Sequence, residues 1–178
     1  MRKLKLEELG RLSVEEFKES DKVSLIVVCD NIRSALNVGS IFRTADAMGI
    51  EKVVLCGITS TPPSNEINKT AIGADESMDW EYFEEVSVAL KQLKTDGYQI
   101  YAIEQTNSSV EILDISISNE QKIAIIMGNE VHGVSDEALP LIDQAIELRQ
   151  YGTKHSLNVA VCAGIVIHHF AEKLRGSF

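Results

Sequence analysis

Apolar and polar positions alternate along this chain in blocks that suit strands and helices in turn. Residues 23–29, apart from Ser24, and residues 123–127 are continuous apolar runs, a pattern typical of strands that are covered on both faces. Shorter runs rich in β-branched or aromatic residues predict further strands at 53–56, 80–83, 98–103 and 145–148.

Helical periodicity fills the intervals between these strands. Ile41, Phe42, Ala45 and Met48 recur at helical spacing, and Gly49 ends that helix. A capping box, with a serine at position 13 and a glutamate three residues later, predicts a short helix over 13–20. Similar patterns predict helices at 66–71, 86–95, 135–142 and 156–173.

This regular alternation predicts an α/β fold with a mainly parallel sheet sandwiched by helices. The sequence has no internal repeat and no linker-like segment. We therefore expect a short N-terminal extension with a helix over 1–22, followed by a single domain over 23–178.

Length and composition suit one globular domain, because 178 residues with 44% hydrophobic content can bury a core without disulfides. No segment is apolar enough to span a membrane, and the N-terminus lacks the apolar stretch of a signal peptide. We expect a cytoplasmic protein with no membrane partner. The cysteines at 29, 56 and 162 stand among apolar neighbours, which indicates buried free thiols.

A net charge of −10 argues against broad, sequence-indifferent binding to nucleic acid. It is compatible with a local basic patch, because several cations stand beside the polar junctions described next. These cations are Arg33, Arg43, Arg149 and Lys154.

Polar residues interrupt the apolar pattern at three junctions where a strand gives way to a loop or helix. The junctions are 37–44, 128–135 and 152–159, and each introduces glycine, amide, hydroxyl or charge. Helix N-termini offer unpaired N–H groups, and glycine allows a ligand to approach the backbone. The three junctions together predict one binding site.

The sequence lacks several common motifs of catalytic and binding sites. It contains no glycine-rich dinucleotide motif, no phosphate-binding loop and no Gly-x-Ser-x-Gly elbow. Its histidines lack the spacing of metal ligands, so we expect no metal.

Read in order, the three junctions resemble the signature motifs of the SpoU (TrmH) family of RNA ribose 2′-O-methyltransferases, within the SPOUT superfamily. The family's Asn-x-Gly-x-x-x-Arg-Thr motif stands at 37–44, and its Gly-x-Glu-x-x-Gly motif at 128–133. Its Ser-Leu-Asn-Val signature stands at 156–159, with Gly152 four residues earlier. The resemblance extends from about residue 23 to residue 174.

The resemblance implies a SPOUT-type fold with a C-terminal trefoil knot, S-adenosylmethionine as cofactor, tRNA or rRNA as substrate, and a homodimer. The catalytic residues that it implies are Asn37, Arg43, Glu130, Ser156 and Asn158. The implied cofactor-binding residues are Thr106, Gly128, Asn129, Glu130, Gly133, Leu148, Gln150, Ser156 and Leu157. Contacts to RNA would come from Arg33, Arg43, Arg149 and Lys154.

One departure stands at 148–150, where Leu-Arg-Gln replaces the family's frequent Ile-Pro-Met. The proline's fixed φ is lost there, and Arg149 becomes available to RNA. Two alternatives stay open from sequence alone. One is a catalytically inactive RNA-binding protein of the same fold, and the other is an α/β enzyme that acts on a small substrate.

Overall fold

A computed structural model describes residues 1–176; residues 177 and 178, at the end of the predicted domain, lie outside the described part. The strands are β1 (Val23–Asp30), β2 (Ile50–Cys56), β3 (Trp80–Phe83), β4 (Gln99–Ile103), β5 (Val110–Glu111), β6 (Ile123–Met127) and β7 (Gln144–Glu147). They form one seven-stranded sheet in the order β3-β2-β1-β6-β4-β7-β5, and every pair is parallel.

Helices cover both faces of this sheet. They are α1 (Val14–Glu19), α2 (Ala35–Ala47), α3 (Asn65–Ala71), α4 (Ala74–Ser77), α5 (Val86–Thr95) and α6 (Val159–Leu174). Short 3₁₀ helices occupy Leu6–Leu9, Ile112–Asp114 and Leu139–Leu141. Helices α2 and α6 pack on one face of the sheet and α5 on the other, which confirms the predicted α/β sandwich.

The buried strand β1 shows why consecutive residues of a central strand are apolar. Its residues 25, 27 and 29 face the layer of α2 and α6, whereas 26 and 28 face the layer of α5. Successive side chains of a strand point to opposite faces, so a strand covered twice must be apolar at every position.

Two predicted helices differ from the structure. Residues 135–142 form turns and the 3₁₀ helix Leu139–Leu141, because the segment is short and Pro140 has no backbone N–H. The last helix begins at Val159 rather than at residue 156, since Asn158 caps it. The pattern did not predict the short elements β5 and α4.

The N-terminal segment is packed onto the fold through Phe17 of α1, which lies against the main apolar core. Its Ser13 and Glu16 form the predicted capping box. The division into an extension over 1–22 and a domain from residue 23 stays a prediction. Within residues 1–176, no helix has both the length and the apolar character needed to cross a membrane.

Parallel pairing brings the carboxyl ends of β6, β4 and β7 to the same edge of the sheet. Ligands of open α/β sheets bind in the crevice beyond such strand ends. The loops that leave these strands are those that carry the second and third polar junctions.

Candidate active site

A cleft of about 630 Å³ opens at this edge of the sheet. It lies between the loop that follows β6, at 128–133, and the loop that follows β7, at 148–158. Its lining residues lie at strand ends, on these loops or in the first turn of α6: Ile103, Glu104, Gln105, Met127, Gly128, Asn129, Glu130, Val131, His132, Gly133, Ile146, Glu147, Leu148, Gln150, His155, Ser156, Leu157, Asn158, Val159 and Cys162.

The 128–133 loop is a tight turn with its own internal hydrogen bonds. The N–H of Asn129 donates to the carbonyl of Gly133 at 2.9 Å, and the reverse bond is also 2.9 Å. The side chain of Asn129 accepts from the N–H groups of Val131 and His132. Gly133 has a φ of 72°, a left-handed value that favours glycine.

Two carboxylates anchor the chain directly after this loop, at residues 134 and 135. Asp30, fully buried at the end of β1, accepts from the N–H of Ser135 at 2.7 Å and from its hydroxyl at 2.8 Å. Glu104, at the end of β4, accepts from the N–H of Val134 at 3.0 Å. Neither carboxylate was among the predicted site residues, because the backbone groups that each one binds are distant in sequence.

A chain of side-chain hydrogen bonds joins all three motifs. Asn158 donates to the amide oxygen of Asn37 at 3.2 Å, and Asn37 donates to Glu130 at 2.9 Å. Glu130 also accepts from the backbone N–H groups of Arg33 at 2.8 Å and Ser34 at 3.1 Å. Residues separated by 93 and 121 positions in sequence therefore form one network beside the cleft.

This network decides the ionisation of Glu130. Burial by itself raises the pKa of the Glu130 carboxyl, but its hydrogen bonds outweigh that effect. The donors are the backbones of Arg33, Ser34 and Glu130 itself and the amide of Asn37, and they hold the pKa below its ordinary value. The carboxylate is charged at neutral pH and serves as an acceptor.

Asn158 has a second task, because its side-chain oxygen caps α6. It accepts from the N–H groups of Ala160 at 3.0 Å and Val161 at 3.2 Å. The amide group faces Asn37 with its nitrogen and the helix with its oxygen. One side chain thus starts the helix and links it to the first motif.

The substitution Asn158→Asp separates these two tasks. Aspartate keeps the cap oxygen and suits a helix N-terminus, so we expect a melting temperature within about 3 °C of wild type. Its second oxygen faces the amide oxygen of Asn37, which breaks the link to Glu130. We expect kcat to fall by up to about tenfold, since one side-chain hydrogen bond is worth about 0.5–1.5 kcal/mol net. Wild-type turnover in a correctly folded Asn158→Asp variant would refute the importance of the link.

Most predicted cofactor residues line the cleft, and Thr106 does not. Those on its wall are Gly128, Asn129, Glu130, Gly133, Leu148, Gln150, Ser156 and Leu157. At the end of β4 the cleft is lined by Gln105 instead of Thr106, because Thr106 already belongs to a turn closed by Ser109. The cleft is also lined by His132, His155 and Cys162, which the sequence motifs did not predict.

The predicted cations lie outside the cleft wall. Arg43 is exposed on α2, and within residues 1–176 it forms no ion pair. Arg33 and Lys154 are also exposed, whereas Arg149 pairs with Glu111 beside the cleft. One chain therefore gathers the cofactor loops and the amide network, but it does not bring Arg43 to the cleft.

The cleft is chemically suited to an adenosine-type cofactor. Its walls include Ile103, Met127, Ile146 and Leu148, which give an apolar surface to a base. Backbone groups of the tight 128–133 loop border that surface, where they can bond a ribose or an adenine edge. Across residues 1–176, no group of His, Cys, Asp and Glu side chains is arranged to hold a metal ion.

The structure is similar to solved methyltransferases. The tRNA modifying enzyme TrmH/SpoU of A. aeolicus superposes with a TM-score of 0.80 at 26% identity, covering 92% of this chain and 82% of that one. An AdoMet-bound rRNA methyltransferase from Sinorhizobium meliloti gives a TM-score of 0.77 at 26% identity, covering 88% and 59%. Fold and cleft together define a methyltransferase of SPOUT type.

The sequence matches the SpoU rRNA Methylase family over residues 24–168, and the chain belongs to that family. It is 31% identical to the tRNA (guanosine(18)-2'-O)-methyltransferase of Aquifex aeolicus over 158 residues, 87% of this chain and 72% of that protein. The Saccharomyces cerevisiae enzyme of the same name is 27% identical over 164 residues, 89% of this chain, but the chain spans only 11% of it. The predicted family, fold class, enzyme class and S-adenosylmethionine cofactor are confirmed.

Proposed function

We propose that this chain transfers the methyl group of S-adenosylmethionine to a ribose 2′-hydroxyl of tRNA. The observation that carries the proposal is the hydrogen-bonded network of Asn37, Glu130 and Asn158 at the mouth of the cleft. An inactive RNA-binding relative would have no need to keep this network intact. The name of the Aquifex relative, a tRNA methyltransferase, favours tRNA over rRNA.

The cofactor would supply an electrophilic methyl group on a sulfonium. The 128–133 loop and the wall of Leu148, Gln150 and Leu157 would hold it, and the predicted role of these residues rests on their place in the cleft. Ser156, exposed at the mouth, would orient the incoming ribose together with Asn37. Alignment of this kind supplies much of the rate in a displacement reaction.

Arg43 would act on the RNA rather than on the cofactor. Its guanidinium remains charged, so the role that suits it is to clamp a phosphate and stabilise the developing alkoxide. Arg43 lies on the exposed side of α2, outside this chain's cleft. It would therefore reach the reacting ribose in an active site formed where two subunits of a homodimer meet. Arg33 and Lys154 would contribute further phosphate contacts, as would Arg149 on release from Glu111.

We propose that the protein is a homodimer built on α6 and the start of α2. Val161 and Ile165 leave 55% and 46% of their surface exposed on α6, although this helix is apolar on most sides. The Asn37–Asn158 bond places Leu36, also exposed, at the same end of the two helices. An apolar face of this kind normally has a partner.

The substitution Ile165→Glu tests the dimer. A charge in the centre of the apolar face should give a folded monomer, since a buried unpaired carboxylate costs several kcal/mol. Analytical ultracentrifugation measures the change in mass. The matched control is Val88→Glu on α5, a residue exposed to 48% on the opposite face of the sheet, which should leave the dimer intact. A dimer that survives Ile165→Glu contradicts this interface.

The trefoil knot stays a prediction. It is supported by the course of the C-terminal chain, which leaves β7 near one edge of the sheet and returns as α6 to pack beside α2 over β1. The returning segment carries Ser156 and Asn158, so the knot would be what brings the third motif to the first.

A tRNA substrate would also place the protein in the cytoplasm, as predicted.

The decisive experiment is a methylation assay with labelled S-adenosylmethionine and RNA from cells that lack the gene. We expect label at a ribose 2′-oxygen of a tRNA, located by mapping of 2′-O-methyl groups. Label in rRNA would correct the substrate and retain the chemistry. A protein that binds cofactor but labels no RNA would contradict the proposal in favour of an RNA-binding role, and label in a small molecule would favour a different enzyme.

A further inference from the structure

The charged side chains of the cleft wall are mainly acidic. Among the described residues 1–176, three carboxylates line it, those of Glu104, Glu130 and Glu147, and no lysine or arginine does. The lining also contains the imidazole side chains of His132 and His155. At neutral pH the cleft is therefore negative, independent of the net charge of the whole protein.

Glu104 and Glu147 are positioned in different ways, Glu104 by hydrogen bonds and Glu147 through its place in a strand. Glu104 accepts from the backbone N–H of Val134 at 3.0 Å and from that of Gln105 at 2.8 Å, so its charge has a fixed position at the strand end. Glu147 is the last residue of β7 and is half-buried. Within the described residues 1–176, it makes no side-chain hydrogen bond or ion pair that would neutralise it.

We infer that Glu104 and Glu147 make the cleft selective for the charged methyl donor over its neutral demethylated product. This inference rests on the proposed function. S-adenosylmethionine carries a sulfonium and has a net charge of about +1, whereas S-adenosylhomocysteine has an uncharged thioether and a net charge of about 0 at neutral pH. The two ligands thus have nearly the same shape but differ in net charge, and the carboxylates of the cleft wall attract the charged one.

The expected size of this preference follows from Coulomb's law. A unit charge about 6 Å from a carboxylate at a partly solvated site, with an effective dielectric constant of about 20–80, corresponds to a change of roughly 3- to 100-fold in affinity. Each carboxylate should therefore contribute about tenfold to the preference. The practical effect is that the product leaves the site more readily than the donor.

The test compares the affinities of both ligands by calorimetry in the intact protein. We expect the ratio of the S-adenosylhomocysteine Kd to the S-adenosylmethionine Kd to fall about tenfold in Glu147→Gln and in Glu104→Gln. Sinefungin, which carries an amine near the sulfonium position, should follow S-adenosylmethionine. The control Glu120→Gln removes the same charge from an exposed turn outside the cleft and should leave the ratio unchanged.

The two variants protect the experiment against a folding defect. Glu104→Gln places an amide against the N–H of Val134 and can disturb the loop, whereas Glu147→Gln replaces no hydrogen bond described for residues 1–176. A ratio that stays within twofold in Glu147→Gln, or that shifts equally in Glu120→Gln, overturns the inference and leaves the proposed function standing. Failure of the wild-type protein to bind either ligand contradicts the proposed function, and this inference with it.

Discussion

Replacing Arg43 with alanine is expected to remove most methyl transfer and to leave S-adenosylmethionine affinity within a few-fold of wild type. The guanidinium lies outside the cleft wall, so its loss changes no cofactor contact. The RNA phosphate and the developing alkoxide would lose their cation, which typically costs on the order of 10²–10³ in kcat. Single-turnover methylation and calorimetry on the same preparation measure the two effects separately.

Two further variants make the Arg43 result specific. Arg43→Lys keeps the charge but loses the two-pronged geometry of the guanidinium, so we expect partial recovery of turnover. Arg11→Ala removes an exposed arginine from the N-terminal segment, away from the three motifs, and should have little effect on turnover. Normal turnover by Arg43→Ala would refute the assignment.

Replacing Gly128 with alanine is expected to weaken S-adenosylmethionine binding on the order of a hundredfold. An added Cβ would overlap the backbone of Gly133 and Val134, which cannot move away as a flexible side chain would. The 128–133 turn must then open and lose its two 2.9 Å bonds, at a cost of about 1–3 kcal/mol for overpacking alone. Calorimetric titration with the cofactor measures the loss.

Gly152→Ala provides the matched control, because it makes the same chemical change in the opposite loop. Position 152 has ordinary φ, and an added Cβ there meets open space. We expect its cofactor affinity to stay within a few-fold of wild type. Equal losses in both variants would show that the Gly128 effect is unspecific, and an unaffected Gly128→Ala would contradict the role of the tight turn.

The arrangement of elements was largely predictable because it follows from local patterns. The apolar runs at β1 and β6 and the capping box before α1 are properties of neighbouring residues. The strand order was not predictable in this way. β6 lies between β1 and β4 because of pairings across long stretches of sequence, and hydrophobic periodicity carries no information about such partners.

The candidate site shows the same division. The motif resemblance located the two loops, and the structure joins Asn37, Glu130 and Asn158 as a resemblance of three separate segments implied. The motif resemblance gave no indication that Asp30 and Glu104 anchor the 128–135 segment. A carboxylate after a strand reads as a solvated charge until its partner is known, and both partners are backbone groups far away in sequence.

The cleft has two lips, the loop 128–133 after β6 and the loop 148–158 after β7. The hydrogen bonds of Asp30 and Glu104 make the first lip stiffer than the second. The lip after β6 is pinned at its end and closed by internal bonds, so little entropy remains to be lost there when a ligand arrives. The opposite lip is exposed at every residue from 151 to 158. We therefore expect ligands to enter and leave by displacement of that second lip, and backbone amides there to exchange with solvent sooner than those after β6.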